Sequence, residues 1–294
     1  MIIVRLMGGH SNQLFQYATG RRLADKRGVE LLLDLTYLEN TPKVDTPRHY
    51  ELGSYPICAR RATQSELNRI LPLDFKPTLP FKITWRLGLD RRIRPINEMG
   101  KAFNDRVLNV RDNTYLFGWW QNERYFIDIR DKLLREFEPK TPMTAKNKEY
   151  LKKISTTQSI SLHVRREDYV TNEHANEVHG LTPLDYYHKA ITRVTNLSAD
   201  KDPHIFVFCK EIEWCKANLE FKLPTTFVEG NTQGADDMRL MKHCKHNILT
   251  NSSFSWWGAW LNQNPRKIVI APKVWLQDKG DNTKVELPQN WIRL

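Results

Sequence analysis

The sequence lacks any long apolar run. No stretch approaches the roughly 20 consecutive apolar residues of a membrane-spanning helix. MIIVRLMGG, at residues 1–9, has no basic segment before its apolar stretch and no small-residue cleavage site, so we expect no signal peptide. Cysteine is scarce, and Cys58, Cys209, Cys215 and Cys244 lack CxxC spacing, which is typical of reduced thiols. These absences predict a cytoplasmic protein.

The usual signatures of cofactor and metal sites are also missing. Neither GxGxxG nor GxxxxGK occurs, so a dinucleotide fingerprint and a P-loop are not supported. Asp236 and Asp237 are adjacent and do not form a DxD pair, and no set of His and carboxylate residues has convincing metal-ligand spacing. We therefore expect that the protein requires neither a cofactor nor a metal ion.

Positive charge is in excess. The net charge of +11 predicts an anionic partner, and many basic residues lie between residues 82 and 111. Two interpretations of this region stay open: a solvated, loop-rich face, or peripheral contact with the inner face of a membrane that carries anionic lipid. Nucleic acid is a disfavoured partner, because the tryptophans cluster in α/β motifs away from most of the positive charge.

The N-terminal part alternates strand and helix patterns. Apolar residues 2–6 and 30–35 predict strands, and residues 14–28 between them predict a helix with Gly28 near its C-cap. Parallel strands joined by a helix are typical of α/β proteins. The middle of the chain, residues 36–158, is less regular.

A second alternating stretch begins with the predicted strand 160–164. A helix follows, for which Thr182 is the predicted N-cap with Asp185 completing a capping box. Further strands are predicted at 204–209, 225–229, 247–250 and 267–272. The fold class is therefore α/β, with two Rossmann-like halves facing a cleft: an N-terminal domain 1–155 and a C-terminal domain 156–294.

Charged residues follow the strand of SISLHVRREDY at once. Ligands gather beyond the carboxyl ends of strands in open α/β sheets, and arginine grips phosphate in a bidentate fork. Arg165 and Arg166 cannot point the same way on an extended chain, so one is expected to face a ligand and the other to pair with a carboxylate such as Asp168. The alternative is a surface salt-bridge network beside His163 as a core histidine.

The segment GGHSNQ follows the first strand. Gly8 and Gly9 permit close backbone approach, and the helix that follows offers unpaired N–H groups to an anion. Simple capping of that helix by Ser11 or Asn12 is the alternative.

The segment NSSFSWWGAWL lies at another junction of strand and helix. Asn251, Ser252 and Ser253 are suited to cradle a phosphate without charge. The tryptophans at 256, 257 and 260 form a helical stripe that is more typical of a core than of a ligand platform.

A further aromatic segment reads GWWQNERYF. Rings such as those of Trp119 and Trp120 stack on the C–H faces of sugars, and the amide of Gln121 can bond hydroxyl groups. A buried junction of strand and helix is the alternative.

In their order along the chain, GGHSNQLFQYA, GWWQNERYF, HVRRED and MKHCKHNILTNSSFSWWGAWL resemble the bacterial α-1,2-fucosyltransferases of glycosyltransferase family 11. LTPLDYYHKAI and FCKEIEWCKANL extend the resemblance over nearly the whole chain. The HxRRxD element, shared with α-1,6- and protein O-fucosyltransferases, is met by His163, Arg165, Arg166 and Asp168. The family's usual GGLGNQ has become GGHSNQ, and Glu167 stands where glycine is frequent.

The resemblance implies a GT-B-like fold and metal-independent, inverting transfer of L-fucose. The donor would be GDP-β-L-fucose, held by the C-terminal half. The acceptor would be the 2-hydroxyl of a terminal galactose, on an oligosaccharide or a lipid-linked glycan, presented largely by the N-terminal half. A different GDP-fucose-dependent transferase, of the α-1,6 or O-fucosyl type, is the main alternative. A non-catalytic sugar-binding protein and a nucleic-acid-binding protein are further ones.

The resemblance also suggests roles for individual residues. Arg165, with Arg166 as the second candidate, would stabilise the departing β-phosphate. Asp168 would orient the arginines, and Asp237 would accept hydrogen bonds from guanine. The predicted catalytic residues are Asn12, His163, Arg165 and Asp168. The predicted donor-binding residues are Gly8, Gly9, Gln13, His163, Arg165, Arg166, Asp237, Asn251, Ser252, Ser253 and Phe254. The general base stays open among His10, Glu123, Asp168 and Glu173.

Overall fold

In a computed structural model, two parallel sheets lie in two units of the chain, Met1–Glu138 and Pro139–Leu294. The structure describes residues 1–43, 45–76, 78–87, 89–99, 102–166, 180–198, 202–276 and 286–294, except for the side chain of Trp85. Glu167, Asp168 and Glu173 lie outside the described residues. None of the helices within those ranges is long and apolar enough to cross a membrane.

The first unit is built on a five-stranded sheet in the order β3-β2-β1-β5-β4, with every pair parallel. The central strands are apolar and almost wholly buried, as expected for a parallel sheet with both faces covered. The strands are β1 (Ile2–Arg5), β2 (Leu31–Asp34), β3 (Arg60–Arg61), β4 (Arg94–Asn97) and β5 (Thr114–Phe117). The helices are α1 (His10–Arg27), α2 (Thr36–Glu39), α3 (Gln64–Leu67), α4 (Leu79–Arg86) and α5 (Arg130–Glu136).

Helix α1 begins four residues before the predicted start at residue 14. The N–H groups of Asn12 and Gln13 both bond the carbonyl of Gly9, so the end of GGHSNQ forms the first helical turn. Gly9 is the N-cap, and the N–H of His10 at the first helical position donates to Glu51 Oε1 at 3.0 Å, so the alternative of capping by Ser11 or Asn12 is wrong. Gly28 ends the helix in the left-handed conformation with a φ of 62°, which confirms its predicted role.

The second unit is built on a six-stranded parallel sheet in the order β11-β10-β9-β6-β7-β8. The chain leaves β6 toward β7 and β8 and then returns to its other side at β9, so β6 lies at the point where the strand order reverses. The strands are β6 (Gln158–His163), β7 (Pro203–Phe208), β8 (Thr225–Phe227), β9 (His246–Ile248), β10 (Val269–Ala271) and β11 (Ile292–Arg293). The helices are α6 (Ala145–Thr156), α7 (Leu184–Leu197), α8 (Ile212–Asn218), α9 (Gly234–Met241) and α10 (Ser253–Leu261).

The boundary between the two units differs from the predicted division after residue 155. It lies after Glu138, because α6 packs within the second unit. Ile154 of α6 is buried with Phe206 and Phe208 of β7, so this helix covers one face of the second sheet.

The predicted capping of α7 is wrong. Pro183 occupies the N-cap position and forms no side-chain cap hydrogen bond. The hydroxyl of Thr182 shares a hydrogen bond of 2.6 Å with that of Thr250 and donates to Asn251 Oδ1 at 3.1 Å. Thr182 therefore ties the start of α7 to the loop that follows β9.

Helix α10 carries the tryptophan stripe into the core. Trp256, Trp257 and Trp260 are buried, with ring centroids 5.0 to 5.9 Å apart. Each buried aromatic side chain contributes roughly 1.5–3 kcal/mol through removal of apolar surface from water. The core interpretation of this stripe is thus confirmed.

Candidate functional site

An open cavity of about 620 Å³ lies in the second unit, at the carboxyl ends of β6, β7 and β8. This is the edge at which open α/β sheets bind ligands, beside the strand where the order reverses. The cavity is lined by residues 163–165, 208–210, 212–213, 228–234, 237 and 254.

His163 is the last residue of β6 and lines the cavity. Its ring packs against Phe254 with centroids 5.3 Å apart, and its Nδ1 is buried without a hydrogen-bond partner among the described residues. Burial, helped by the positive charge of Arg165, lowers the pKa of His163 to about 3. The imidazole is therefore neutral at working pH and offers Nδ1 to a ligand as a polar but uncharged group.

The two adjacent arginines have different neighbours. Arg165 lines the cavity, whereas Arg166 does not. The Nε of Arg166 donates to Glu211 Oε2 at 3.2 Å, and its guanidinium lies 3.6 Å from the centre of the Trp214 ring. The two arginines are thus divided as expected in that Arg165 lines the cavity while a carboxylate, Glu211, holds Arg166; that Arg165 binds a ligand stays a prediction.

Asp237 lines the cavity from the first turn of α9. Asn231 Nδ2 donates to its Oδ1 at 2.7 Å. Burial raises the pKa of Asp237 to about 6, although the charge of Lys210 acts in the opposite direction. At neutral pH this is a buried carboxylate that gains from further N–H donors supplied by a ligand.

Several lining residues were missed by the sequence reasoning, among them Lys210, Asn231 and Gln233. They lie directly after β7 and β8, in the segments FCKE and VEGNTQG. The rule that ligands gather at carboxyl ends of strands applies to those ends as much as to β6. Polar residues immediately after apolar strands were the signal that could have found them.

The polar residues of NSSFSWW bond the segment before α7 and the first turn of α10. Asn251 Nδ2 donates to the carbonyl of Gly180 at 3.2 Å, while its Oδ1 accepts from Thr182. Ser252 is the N-cap of α10, since its Oγ accepts from the N–H of Phe254 at 3.2 Å. Of the four predicted donor-binding residues here, Phe254 lines the cavity, and Asn251, Ser252 and Ser253 do not.

At the carboxyl edge of the first sheet, the loop after β1 meets the loop after β5. Gly8 has a φ of 71°, and a Cβ there would lie 2.5 Å from Asn12 Nδ2 and 3.2 Å from Trp119 Cζ3. Only glycine fits this position. Gln121 Nε2 donates to Asn12 Oδ1 at 2.8 Å, so an amide pair lies beside Trp119.

Gln13 uses its buried amide inside the first unit. Its Nε2 donates to the carbonyls of Gly8 at 3.0 Å and His49 at 2.7 Å, and its Oε1 accepts from the N–H of Glu51 at 2.9 Å. These bonds fix the 49–51 segment against the start of α1. The geometry thus indicates a structural role for Gln13, where the sequence predicted donor binding.

His10 is also part of the interior of the first unit. Its Nε2 lies 2.8 Å from the hydroxyl of Tyr55, and the two rings stack. Burial lowers the pKa of His10 to about 4, so this imidazole is a weak base.

Glu98, which the sequence reasoning missed, shapes the GWW segment. Its Oε2 accepts the N–H groups of Trp119 at 3.1 Å and Trp120 at 3.0 Å. Trp120 is fully buried with a φ of 58°, and Trp119 is partly exposed. Trp119 is therefore the ring of this pair that a sugar could reach.

Metal ligands do not cluster in the part of the chain that the structure describes. No group of three or more His, Cys, Asp or Glu residues there is arranged to hold an ion.

The chain was compared with known proteins. The family model for glycosyl transferase family 11 matches residues 99–294. The O-antigen biosynthesis glycosyltransferase WbnK of Escherichia coli is 33% identical over 98% of this chain and 99% of its own length. An alpha-1,2-colitosyltransferase of the same species is 34% identical over 100% of this chain and 99% of its own length.

A solved structure supports the fold. The crystal structure of the fucosyltransferase NodZ from Bradyrhizobium has a TM-score of 0.51 and 16% identity, over 91% of this chain and 95% of that chain. This likeness confirms the GT-B-like prediction of two α/β halves, each with a parallel Rossmann-like sheet. With the family match and the full-length relatives, it follows that the chain belongs to glycosyltransferase family 11 and is an enzyme of the glycosyltransferase class.

Proposed function

We propose that this enzyme transfers L-fucose from GDP-β-L-fucose to the 2-hydroxyl of a terminal galactose, forming an α-1,2 linkage with inversion at the anomeric carbon. One observation carries the proposal: Arg165 of the HxRRxD element and the buried carboxylate of Asp237 line the same cavity in the second unit. A nucleoside diphosphate needs both kinds of group, a cation for the phosphates and a polar partner for the base.

The cavity suits the two ends of GDP. Arg165 and Lys210 supply positive charge for the diphosphate, in line with the preference of phosphate for guanidinium and ammonium groups. The Watson–Crick edge of guanine presents two adjacent N–H donors, and an ionised carboxylate such as Asp237 accepts both. Adenine lacks that pair of donors, so Asp237 favours guanine.

In the proposed reaction, the bond between C1 of fucose and the β-phosphate oxygen breaks while the galactose O2 attacks C1 from the opposite face. The bonding electrons leave with GDP, and negative charge grows on the β-phosphate as the sugar becomes oxocarbenium-like. The fork of Arg165 is preorganised to stabilise that charge, which is usually the largest catalytic contribution of this kind. His163, which is neutral, contributes a hydrogen bond rather than charge.

The proton of the galactose O2 passes to a base. Of the predicted bases, His10 is disfavoured by its low pKa and by its contact with Tyr55. Glu123 lies in a partly buried 3₁₀ turn of the first unit, and the other two candidates are Asp168 and Glu173. A carboxylate is therefore the proposed base.

The acceptor is proposed to be a galactose-terminated oligosaccharide or lipid-linked glycan, with no part for nucleic acid. The partly exposed ring of Trp119 suits the C–H face of a galactose, and the amides of Asn12 and Gln121 suit its hydroxyls. Asn12 is thus proposed as an acceptor-side residue. A cytoplasmic location is part of the proposal and agrees with four free cysteines.

The proposed transfer needs no metal ion, because arginine supplies the positive charge at the leaving group. Addition of EDTA is expected to leave the initial rate unchanged. Loss of activity that Mg²⁺ or Mn²⁺ restores would contradict this part of the proposal.

A second donor sugar is favoured by a specific observation. The relative that is 34% identical over the full chain is named as an alpha-1,2-colitosyltransferase. Colitose is fucose without its 3-hydroxyl, so one pocket could accept either sugar. The second candidate function is therefore α-1,2 transfer of colitose from its nucleotide donor.

The deciding experiment offers the enzyme GDP-fucose, GDP-colitose and GDP-mannose with a panel of terminal β-galactosides and one β-glucoside. GDP release gives the rate, and NMR of the product gives the linkage. We expect α-1,2-fucosylated galactosides and no product from GDP-mannose or the glucoside. A preference for GDP-colitose would replace the first function by the second, and α-1,6 or other linkages would overturn both.

A further inference from the structure

The structure divides the basic region 82–111 into two parts. Toward its end, the carbonyls of Leu108, Asn109 and Val110 accept hydrogen bonds from basic residues of α1, so the backbone of this part is packed against α1. The earlier part, around α4, exposes its side chains to solvent. Basic side chains are exposed in both parts, Arg106 and Arg111 among them, but the exposed large apolar side chains described in this region lie at α4 and just beyond it. Apolar and basic surface therefore meet at α4.

Exposed apolar side chains concentrate at this helix. Among the described residues, twelve large hydrophobic side chains are exposed, and five of them lie between Leu73 and Leu89. Leu79, Ile83 and Leu87 are 70%, 50% and 66% exposed. The N–H of Leu87 bonds the carbonyl of Ile83, which continues the helical turn, so the three side chains at spacing four share one face.

The opposite side of α4 is anchored to the protein. Phe81 is buried and meets the ring of Phe75 with centroids 4.8 Å apart. The guanidinium of Arg92, which pairs with Asp90 at 2.5 Å, covers the Phe81 ring at 5.1 Å. The apolar outer face is thus held outward by packing on the inner face, and the helix does not need to unfold to present it.

Positive charge surrounds the apolar face. Residues 73–94 contain six Lys or Arg and two Asp, a net charge of +4. Lys82 and Arg86 are exposed on α4 itself, and Arg91 is exposed just beyond it. Leu79, Ile83, Leu87, Leu89, Lys82, Arg86 and Arg91 are called the α4 surface below.

We propose that the α4 surface docks the enzyme on the face of a bilayer that carries anionic phospholipid. An amphipathic helix with apolar residues on one face and basic residues around it lies in the plane of a membrane surface. Eight residues of helix span about 12 Å, far less than a bilayer, so the contact is peripheral. A second copy of this chain is a poor occupant, because it would bring two strongly basic surfaces together.

The test uses sedimentation of the full chain with vesicles of phosphatidylcholine alone or mixed with phosphatidylglycerol. We expect binding to the anionic vesicles that weakens with added salt, and little binding to the neutral ones. Absence of binding to anionic vesicles, or equal binding to both, would overturn the proposal. No donor or acceptor is present, so this result does not depend on which sugar the enzyme transfers.

Variants locate the surface. The triple substitution Leu79→Ser, Ile83→Ser, Leu87→Ser is expected to lower the partition coefficient at least about tenfold, since each apolar side chain that enters the interface contributes to binding. The matched control, Ile127→Ser, Leu197→Ser, Val274→Ser, removes three exposed apolar side chains elsewhere and should bind as the unsubstituted chain does. Equal losses in both variants would show that the α4 surface has no special role.

A charge variant and a mass measurement complete the test. Lys82→Gln with Arg86→Gln should weaken binding to anionic vesicles by about tenfold and flatten its salt dependence. Light scattering should give the same mass for the chain and the Leu79, Ile83, Leu87 variant. A dimer that this variant converts to a monomer would assign the surface to self-association and overturn membrane docking.

Discussion

Both sheets are parallel, and the polar residues at their carboxyl edges are used in different ways. In the second unit, the residues that follow β6, β7 and β8 enclose a cavity of about 620 Å³ and present His163, Arg165 and Asp237 to it. In the first unit, the side-chain amides of Gln13 and Asn12, in the GGHSNQ segment, form hydrogen bonds to neighbouring loops.

The difference shows that buried polar residues beyond a parallel strand can either be left for a ligand or hold a loop in place. Burial without full hydrogen bonding, as at His163 Nδ1, leaves a polar group that a ligand can satisfy. Burial with every bond made, as at the amide of Gln13, fixes a loop instead. At the second edge, His163 Nδ1 is therefore available to a ligand, whereas at the first edge the amide of Gln13 holds the neighbouring loops in place.

The largest expected effect concerns the proposed leaving-group stabiliser. Arg165→Lys keeps the charge but loses the bidentate fork, so turnover should fall at least about 10²-fold. Initial rates at saturating donor measure it. Arg166→Lys, outside the cavity lining, is the control and should cost about fivefold or less. Near-normal turnover of the Arg165 variant would remove this residue from its role.

The next effect concerns recognition of the base. Asp237→Asn should raise the Kd for GDP between about 10- and 100-fold, as expected for loss of a charge-assisted hydrogen bond. Inosine diphosphate lacks the exocyclic amine of guanine, so the unsubstituted enzyme should bind it more weakly than GDP, and the variant should discriminate less. Asp236→Asn, on the same helix but outside the lining, is the control. Unchanged discrimination in the Asp237 variant would move guanine recognition elsewhere.

A third prediction tests the structural role of Gln13. Gln13→Met has similar volume but cannot make the bonds to Gly8, His49 and Glu51, so we expect the free energy of unfolding to fall by about 1–3 kcal/mol. Thermal unfolding measures it, and the Kd for GDP should stay unchanged. Weaker GDP binding with unaltered stability would support donor binding, as the sequence first suggested.

The pH dependence of donor binding follows from Asp237. Its pKa of about 6 means that the carboxylate gains a proton as the pH falls below 6, and the protonated form is a poorer partner for guanine. The Kd for GDP should therefore rise about tenfold between pH 7.5 and pH 5. In Asp237→Asn this dependence should shrink to the part that comes from GDP itself, whose terminal phosphate titrates at about pH 6. A profile that the substitution leaves unchanged would assign the dependence to another group.

The raised pKa of Asp237 also makes the stability of the fold depend on pH, in the direction opposite to that of GDP binding. Between the unfolded pKa near 4 and the folded pKa of about 6, the folded state binds more protons, so stability increases as the pH falls. Above pH 6 the buried charge is a cost, and Asp237→Asn should melt at a higher temperature than the unsubstituted chain. That advantage should shrink toward pH 4, as measured by calorimetry at several pH values.

The smallest expected effect lies at the first edge. Trp119→Ala should raise the KM for the galactoside about three- to tenfold, since stacking on a sugar contributes roughly 0.5–1.5 kcal/mol. The KM for GDP-fucose should not change. If the donor KM rises instead, the first edge contacts the nucleotide sugar.

Much of the fold was predictable because strands and helices have different apolar periods. Segments such as 160–164 are short, apolar and followed by charge, which indicates a buried parallel strand. The boundary at Glu138 was not predictable, because the packing of Ile154 against Phe206 and Phe208 depends on tertiary contacts. The same holds for Thr182, whose hydroxyl bonds a loop that is remote in sequence.

The candidate site was predictable where a motif marks it. HVRRED pointed to His163 and Arg165, and the family resemblance added Asp237 and Phe254, all of which line the cavity. Lys210 and Asn231 carry only the weaker signal of a polar residue that follows an apolar strand, and the arrangement of β7 and β8 brings them to the same place. The spacing of the motif also does not show which of Arg165 and Arg166 faces the cavity, because that depends on the contacts of Arg166 with Glu211 and Trp214.

The most direct test of the account is a calorimetric titration of the folded, full-length chain with GDP. We expect one GDP per chain, with affinity that falls in Arg165→Lys and Asp237→Asn and persists in Arg166→Lys and Asp236→Asn. Absence of GDP binding, or equal binding by all four variants, would contradict the assignment of the cavity to a guanine nucleotide.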